Sequence, residues 1–175
     1  MENIRIINLM RSMHITDTLN LESLHRELGG KLYRGRPEML LLRMSNGRNI
    51  QLFRRGTVQI LGHLTQDEAE SMRRELLHRL QITTASPLVI SNMVISAQLK
   101  MTLSLRQIAQ SNANLFYEIE LFPAALIRKW HPAHIAVFHN GKVILTGVKS
   151  LVVCQEIFSN LLSYLHELSN HEDKL

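Results

Sequence analysis

Apolar and polar residues alternate in short runs through most of the chain, and in four places, two short and two long, the alternation gives way to a helical period. In "NIQLF" (residues 49 to 53) Ile50 and Leu52 point one way while Gln51 and Phe53 point the other. In "HIAVF" (134 to 138) Ile135 and Val137 oppose Ala136 and Phe138 in the same manner. Strands of this kind place one sheet face in a core and leave the other for solvent or a ligand. The segments "FRRGT" and "FHNGK" carry Gly56 and Gly141 where a tight turn joins antiparallel strands. Two short amphipathic helices are predicted at "LESLHREL" and "SLRQIAQ". A long helix follows Thr65, whose spacing to Glu68 is that of a capping box, with Ala69, Met72, Leu76 and Leu80 on one side. A second long helix is predicted from about Ser150, with Val153, Ile157, Leu161 and Leu165 as its apolar stripe.

The pattern occurs twice. Laying "GRNIQLFRRGTVQILGHLTQDEAESMRRELLHRL" over "PAHIAVFHNGKVILTGVKSLVVCQEIFSNLLSYL" aligns Phe53 with Phe138, Gly56 with Gly141, Gly62 with Gly147 and Leu76 with Leu161, an offset of about 85 residues. Upstream, Arg43 meets Arg128, and with one residue of slippage Asn8 in "IINLM" meets Asn92 in "ISNMV". The first copy occupies 1–82 and the second 83–175, each reading strand, short helix, several strands, long helix. The connector "QITTASP" ends in Pro87, where no helix continues, and its brevity suggests that the halves pack side by side. The expected fold is α+β: tandem repeats forming a continuous antiparallel sheet, with both long helices on one face and the other face bare.

Composition narrows the partners. Twenty Lys and Arg against fifteen Asp and Glu give a net charge of +5, which favours an anionic partner such as nucleic acid or an acidic protein surface. The single cysteine, Cys154, lies in an apolar helical pattern that suits a buried structural thiol and a reducing compartment. "MENIRIINLMRS" reads as a strand and not as a secretion signal, and no apolar run is long enough for a membrane helix, so a soluble intracellular protein without membrane association is expected. His131, His134 and His139 straddle a proline and a hairpin without a defined fourth ligand and read as surface residues; Trp130 reads as a packing residue. No phosphate loop, paired carboxylates in a pocket, or nucleophile beside a base is evident, so neither catalysis nor a cofactor is expected. From residues alone, Phe122 and Phe138 fit the core at the base of a hairpin.

The string "YEIELFPAALIRKWHPAHIAVFHNGKVILTGVKS" (117 to 150) resembles the second repeat of the TATA-box-binding protein family in its glutamate-bearing loop, its "LFP", its hairpin ending in "GK" and its "LTG.K". The resemblance spans the chain in layout and is specific in the second half. It implies a curved saddle with two long helices on the convex face, a concave sheet set on the DNA minor groove, and a monomer with internal pseudo-twofold symmetry. It carries Asn8 and Asn92 to a central pair that bonds base acceptors, and Val94, Ala136, Ile144 and Thr146 to groove contacts. Phe122 and Phe138 become a wedge pair entering a base step, with Phe53 as the remaining wedge of the first repeat. Arg128, Lys142 and Lys149 become phosphate neighbours. On the partner side it implies that Glu118, Glu120 and Leu121 meet transcription factor IIB and that Arg73 and Arg74 meet transcription factor IIA, in a nucleus and in an RNA polymerase II preinitiation complex.

The first repeat departs from the family pattern. Pro37 stands where its second wedge phenylalanine belongs, with Met39 nearby; Gln51 and Gln59 replace apolar groove residues; Leu61 replaces a threonine; Thr57 and Leu64 stand where lysines belong. Two functions remain open at this point. One is a divergent initiation factor that binds promoter DNA in the minor groove and recruits factors IIA and IIB. The other is a saddle-shaped adaptor that has lost autonomous TATA binding and acts through protein partners.

Overall fold

A computed structural model describes residues 2–110, 115–118, 120–127 and 133–170. The chain divides into two compact units, an N-terminal one of Asn8–Ser91 and a C-terminal one of Asn92–Leu175 together with Met1–Ile7. The N-terminal unit is built from β1 (Glu2–His14) from Asn8 onward, α1 (Leu21–Leu28), β2 (Lys31–Tyr33), β3 (Met39–Arg43), β4 (Asn49–Phe53), β5 (Thr57–Leu61) and α2 (Gln66–Arg79). Its strands lie in the order β2-β3-β4-β5-β1. The C-terminal unit contains β6 (Val89–Gln98), α3 (Leu105–Gln110), β7 (Leu115–Phe116), β8 (Ala124–Ile127), β9 (His134–Phe138), β10 (Lys142–Val148) and α4 (Leu151–Asn170), in the order β6-β10-β9-β8-β7. The class is α+β, as expected, and all the strand pairs whose register is resolved are antiparallel.

The two-residue alternation sets what each sheet buries. In the N-terminal unit Leu40, Leu42, Ile50, Leu52, Val58 and Ile60 join Ala69, Met72 and Leu76 of α2 and Leu21 of α1 in one core, none of them more than 1% exposed. Each fully buried Leu or Ile contributes about 1.5–3 kcal/mol relative to exposure, so this face decides the register of the sheet. The C-terminal unit repeats the plan with Ala125, Ile127, Ile135, Val137, Val143 and Leu145 buried. Its helix α4 packs on β10 and on α3.

Backbone hydrogen bonds repeat as well. The N–H of Ile15 donates to the carbonyl of Gly56 and that of Leu19 to Arg54; in the second copy Leu99 donates to Gly141 and Leu103 to His139, all at 2.7–3.0 Å. The segment after the first strand of each copy is thus laid against a hairpin, and this explains the two turn glycines. A Cβ on Gly56, at φ +71°, would sit 1.4 Å from the Thr16 carbonyl oxygen, and one on Gly141, at φ +79°, would sit 2.4 Å from that of Met101.

Helix α2 starts on the expected capping box. The N–H of Glu68 donates to the Thr65 hydroxyl at 3.2 Å, and the N–H of Thr65 donates to the Glu68 carboxylate at 2.7 Å. That backbone donor holds the Glu68 carboxyl below the usual carboxylate range. Helix α4 differs from expectation in phase. Val153 is 44% exposed, with Leu151 and Val152 exposed beside it, and the buried stripe is Cys154, Ile157, Phe158, Leu161 and Leu165. A stripe begun at Val153 and one begun at Cys154 share Ile157, Leu161 and Leu165, so spacing alone favours neither. Cys154 is the buried residue of the two, and burial pushes the pKa of its thiol up to about 11.

A pair of substitutions separates the two phases. Val153→Ser should change unfolding free energy by less than about 0.5 kcal/mol, as surface changes do, whereas Cys154→Asn should cost about 2 kcal/mol or more by burying an amide without partners. Urea unfolding of both variants checks this; equal losses would return Val153 to the core.

Candidate nucleic-acid interface

The face of each sheet opposite its core carries a row of four residues in register. In the C-terminal unit Leu126, Ala136, Ile144 and Ser96 face one another across β8, β9, β10 and β6. All four are half-buried, while their chain neighbours Ile127, Ile135, Val143 and Ile95 are buried on the other side. Val94 and Thr146 form the next cross-strand pair. Ala136, Ile144 and Thr146, with Leu126 and Phe122, line a shallow hollow of about 390 Å³. Four residues assigned to groove contact from the sequence, Val94, Ala136, Ile144 and Thr146, therefore lie on one open face. Leu126 and Ser96 belong to the same surface and were missed; the two-residue period of "AALI" and "NMVISA" was the signal that could have found them.

Asn92 lies at the edge of this face where β10 is interrupted. The pairing of β10 with β6 shifts between Thr146 and Val148, and the N–H of Gly147 freed there donates to Asn92 Oδ1 at 2.9 Å. That bond orients the amide: its oxygen is turned to Gly147, and its NH2 group keeps two donors for other partners. In the N-terminal unit the corresponding N–H, that of Gly62, donates to the main-chain carbonyl of Leu9 at 3.1 Å, while Asn8 is half-buried on β1.

One end of the C-terminal face is aromatic. Phe122 and Phe138 meet edge to face with centroids 6.0 Å apart and planes at 62°, and Lys142 Nζ stands 5.9 Å from the Phe138 centroid. Phe122 is 41% exposed and Phe138 half-buried, so the pair is not the hairpin core that the residues alone would suit. The turn holding Phe122 closes on the carbonyl of Glu118, which accepts from the N–H groups of Leu121 and Phe122 at 3.0 and 2.9 Å. Glu118, Glu120 and Leu121 are exposed, Leu121 at 72%. The two glutamates line a depression with Tyr117 and with Arg106, Ala109 and Gln110 of α3.

The N-terminal unit differs in the middle of its row and at its end. Its row is Leu41, Gln51, Gln59 and Ser12. Phe53 faces Met39 across the strands, and the hollow beside it is lined by Pro37, Glu38, Arg54 and Arg55. Arg54 bridges Glu38 at 2.5 Å and Glu22 at 3.3 Å. The Glu22 carboxyl lies below its ordinary range because of its own backbone N–H, with Arg54 adding to the effect. Such exposed pairs add little stability; what they do is fix the position of the hairpin tip.

Lys142 and Lys149 are exposed. Arg74 on α2 is exposed, while Arg73 is half-buried and pairs with Glu70 at 3.6 Å. Arg128, Trp130 and His131 lie outside the described residues. His134 is exposed, and His139 Nδ1 is 2.8 Å from the carbonyl oxygen of Leu103. No group of three metal-ligating side chains occurs among the described residues, and no helix among them is long and apolar enough to cross a membrane.

Comparison with known proteins places these features. The family described as "Transcription factor TFIID (or TATA-binding protein, TBP)" matches residues 87–168. A TATA-box-binding protein of Natronomonas pharaonis is 31% identical, with 95% of this chain and 95% of that protein aligned. A TATA-box-binding protein-like 1 of Entamoeba histolytica is 26% identical over 96% of this chain and 82% of its own length. The solved structure of Methanococcus jannaschii TBP superposes with a TM-score of 0.76 at 28% identity, covering 95% of this chain and 99% of that one.

Proposed function

We propose, since the chain belongs to the TATA-box-binding protein family, that it is a divergent initiation factor which lays its open sheet faces in the minor groove of promoter DNA and recruits transcription factors IIA and IIB. The family is one of DNA-binding, non-enzymatic transcription factors, acting where the DNA is, in a nucleus or nucleoid. Placement in the nucleus, in an RNA polymerase II preinitiation complex, belongs to the proposal, as does the division into repeats 1–82 and 83–175 that act as one binding domain.

The observation that carries the DNA reading is the largely apolar row Leu126, Ala136, Ile144 and Ser96, ended by the Phe122–Phe138 pair. The minor groove offers few distinguishing hydrogen bonds, so a surface that fits it is largely apolar, with donors placed where base acceptors lie. Asn92, its oxygen held by Gly147, supplies such a donor; Asn8 is its counterpart. Phe122 and Phe138 then open a base step, at a cost of a few kcal/mol that contacts with the bent duplex offset. Phe53 is the wedge at the other repeat. Lys142, Lys149 and Arg128 neutralise phosphates and make affinity fall with salt.

Glu118, Glu120 and Leu121 form an acidic and apolar tip suited to factor IIB, and Arg73 and Arg74 on α2 are the contacts proposed for factor IIA. An adaptor acting through other DNA-binding subunits is the second reading. It is favoured by the N-terminal unit, where Pro37 stands in place of a second wedge phenylalanine and Gln51 and Gln59 in place of apolar groove residues.

Gel shifts on an AT-rich duplex separate the two readings. The wild type should bind, with affinity falling steeply between about 50 and 200 mM salt, and Phe122→Ala/Phe138→Ala should weaken it by at least about tenfold. No shift at low salt, even with factor IIA present, would leave the adaptor. Glu118→Arg/Glu120→Arg should abolish co-precipitation of factor IIB without lowering DNA affinity; undiminished recovery of factor IIB would remove that loop from the interface.

A further inference from the structure

The geometry points to a DNA half-site containing G·C base pairs beneath the N-terminal unit, read by the cross-strand pair Gln51 and Gln59. The inference rests on the minor-groove reading above and adds which bases each unit accepts. The two rows are matched at their outer positions, leucine at one end and serine at the other, in the same register. They differ only in the middle, where Ala136 and Ile144 of the C-terminal unit are replaced by Gln51 and Gln59, directly opposite each other on β4 and β5 and both half-buried.

That difference bears on the one distinction the minor groove makes well. A·T and T·A present only the acceptors adenine N3 and thymine O2, whereas G·C adds the guanine N2 amino donor. Against Ala136 and Ile144 the amino group is stripped of water and left without an acceptor, so G·C is penalised. A glutamine amide carries both an acceptor oxygen and NH2 donors. Gln51 or Gln59 can accept from the guanine amino group while donating to a neighbouring N3 or O2. The replaced residues thus shift the preference of one repeat and leave docking possible. Arg55, exposed at the tip of the same hairpin, supplies a phosphate contact there that reads no sequence.

Competition binding with inosine tests this, because I·C lacks the N2 amino group and otherwise matches G·C. A duplex pool with G·C or I·C at single positions of an AT-rich site is bound by the wild type, by Gln51→Ala/Gln59→Ile and by Ala136→Gln/Ile144→Gln. For the wild type, G·C should bind at least as well as I·C in one half-site and about tenfold worse in the other. The first variant should favour I·C in both halves, and the second should favour or tolerate G·C in both. Circular dichroism and urea unfolding verify that the variants fold. I·C preferred in both halves by the wild type, or an unchanged asymmetry in the first variant, overturns the inference while leaving the minor-groove reading in place. Failure of the wild type to bind any duplex overturns both.

Discussion

Burial of one side of each strand under a helix governs everything else in this protein. Ile50 and Leu52 share one core with residues of α1 and α2, Ile135 and Val137 are likewise buried, and a slip of one residue in either strand would exchange them for Gln51 and Phe53 or Ala136 and Phe138. The core therefore fixes the residues presented on the opposite side. Register is a stability matter on one face and a recognition matter on the other, and the same hydrogen-bond ladder serves both. The turn glycines belong to this constraint, since Gly56 and Gly141 let the segment after each first strand close against its hairpin.

Duplication then allowed the two outer faces to diverge over equivalent cores. In the C-terminal unit the face is apolar in its middle, aromatic at its end and supplied with an oriented asparagine by the irregularity at Gly147. In the N-terminal unit it is polar in its middle and charged at its end. These changes fall on positions that the core does not use, so they cost the fold little. They are the positions at which a change of partner or of sequence preference can be made.

The strand alternation, the capping box at Thr65 and Glu68, and the repeat itself were legible in the sequence because each leaves a local or periodic trace. The phase of α4 was not, since Val153 and Cys154 each start a stripe through the same later residues, and only contact with the sheet distinguishes them. The face of Ala136, Phe138 and Ile144 could be read from alternation. The partnership of Phe122 with Phe138 followed only from the family resemblance, and the Gly147–Asn92 bond and the Glu22–Arg54–Glu38 triad could not be read, because they join residues distant in sequence through register and loop geometry. Gln51 and Gln59 read in isolation as a loss of function; their direct opposition across β4 and β5 is what the proposed G·C readout rests on.

Methyl-resolved NMR titration with an AT-rich duplex tests the central claim, that the face opposite the core in each unit is the nucleic-acid surface. Leu41, Leu126, Val94 and Ile144 should shift strongly, while Leu40, Ile135, Val143 and Leu161 stay close to their free positions. Shifts confined to the α2 and α4 surfaces, with Val94 and Ile144 unmoved, would contradict the account.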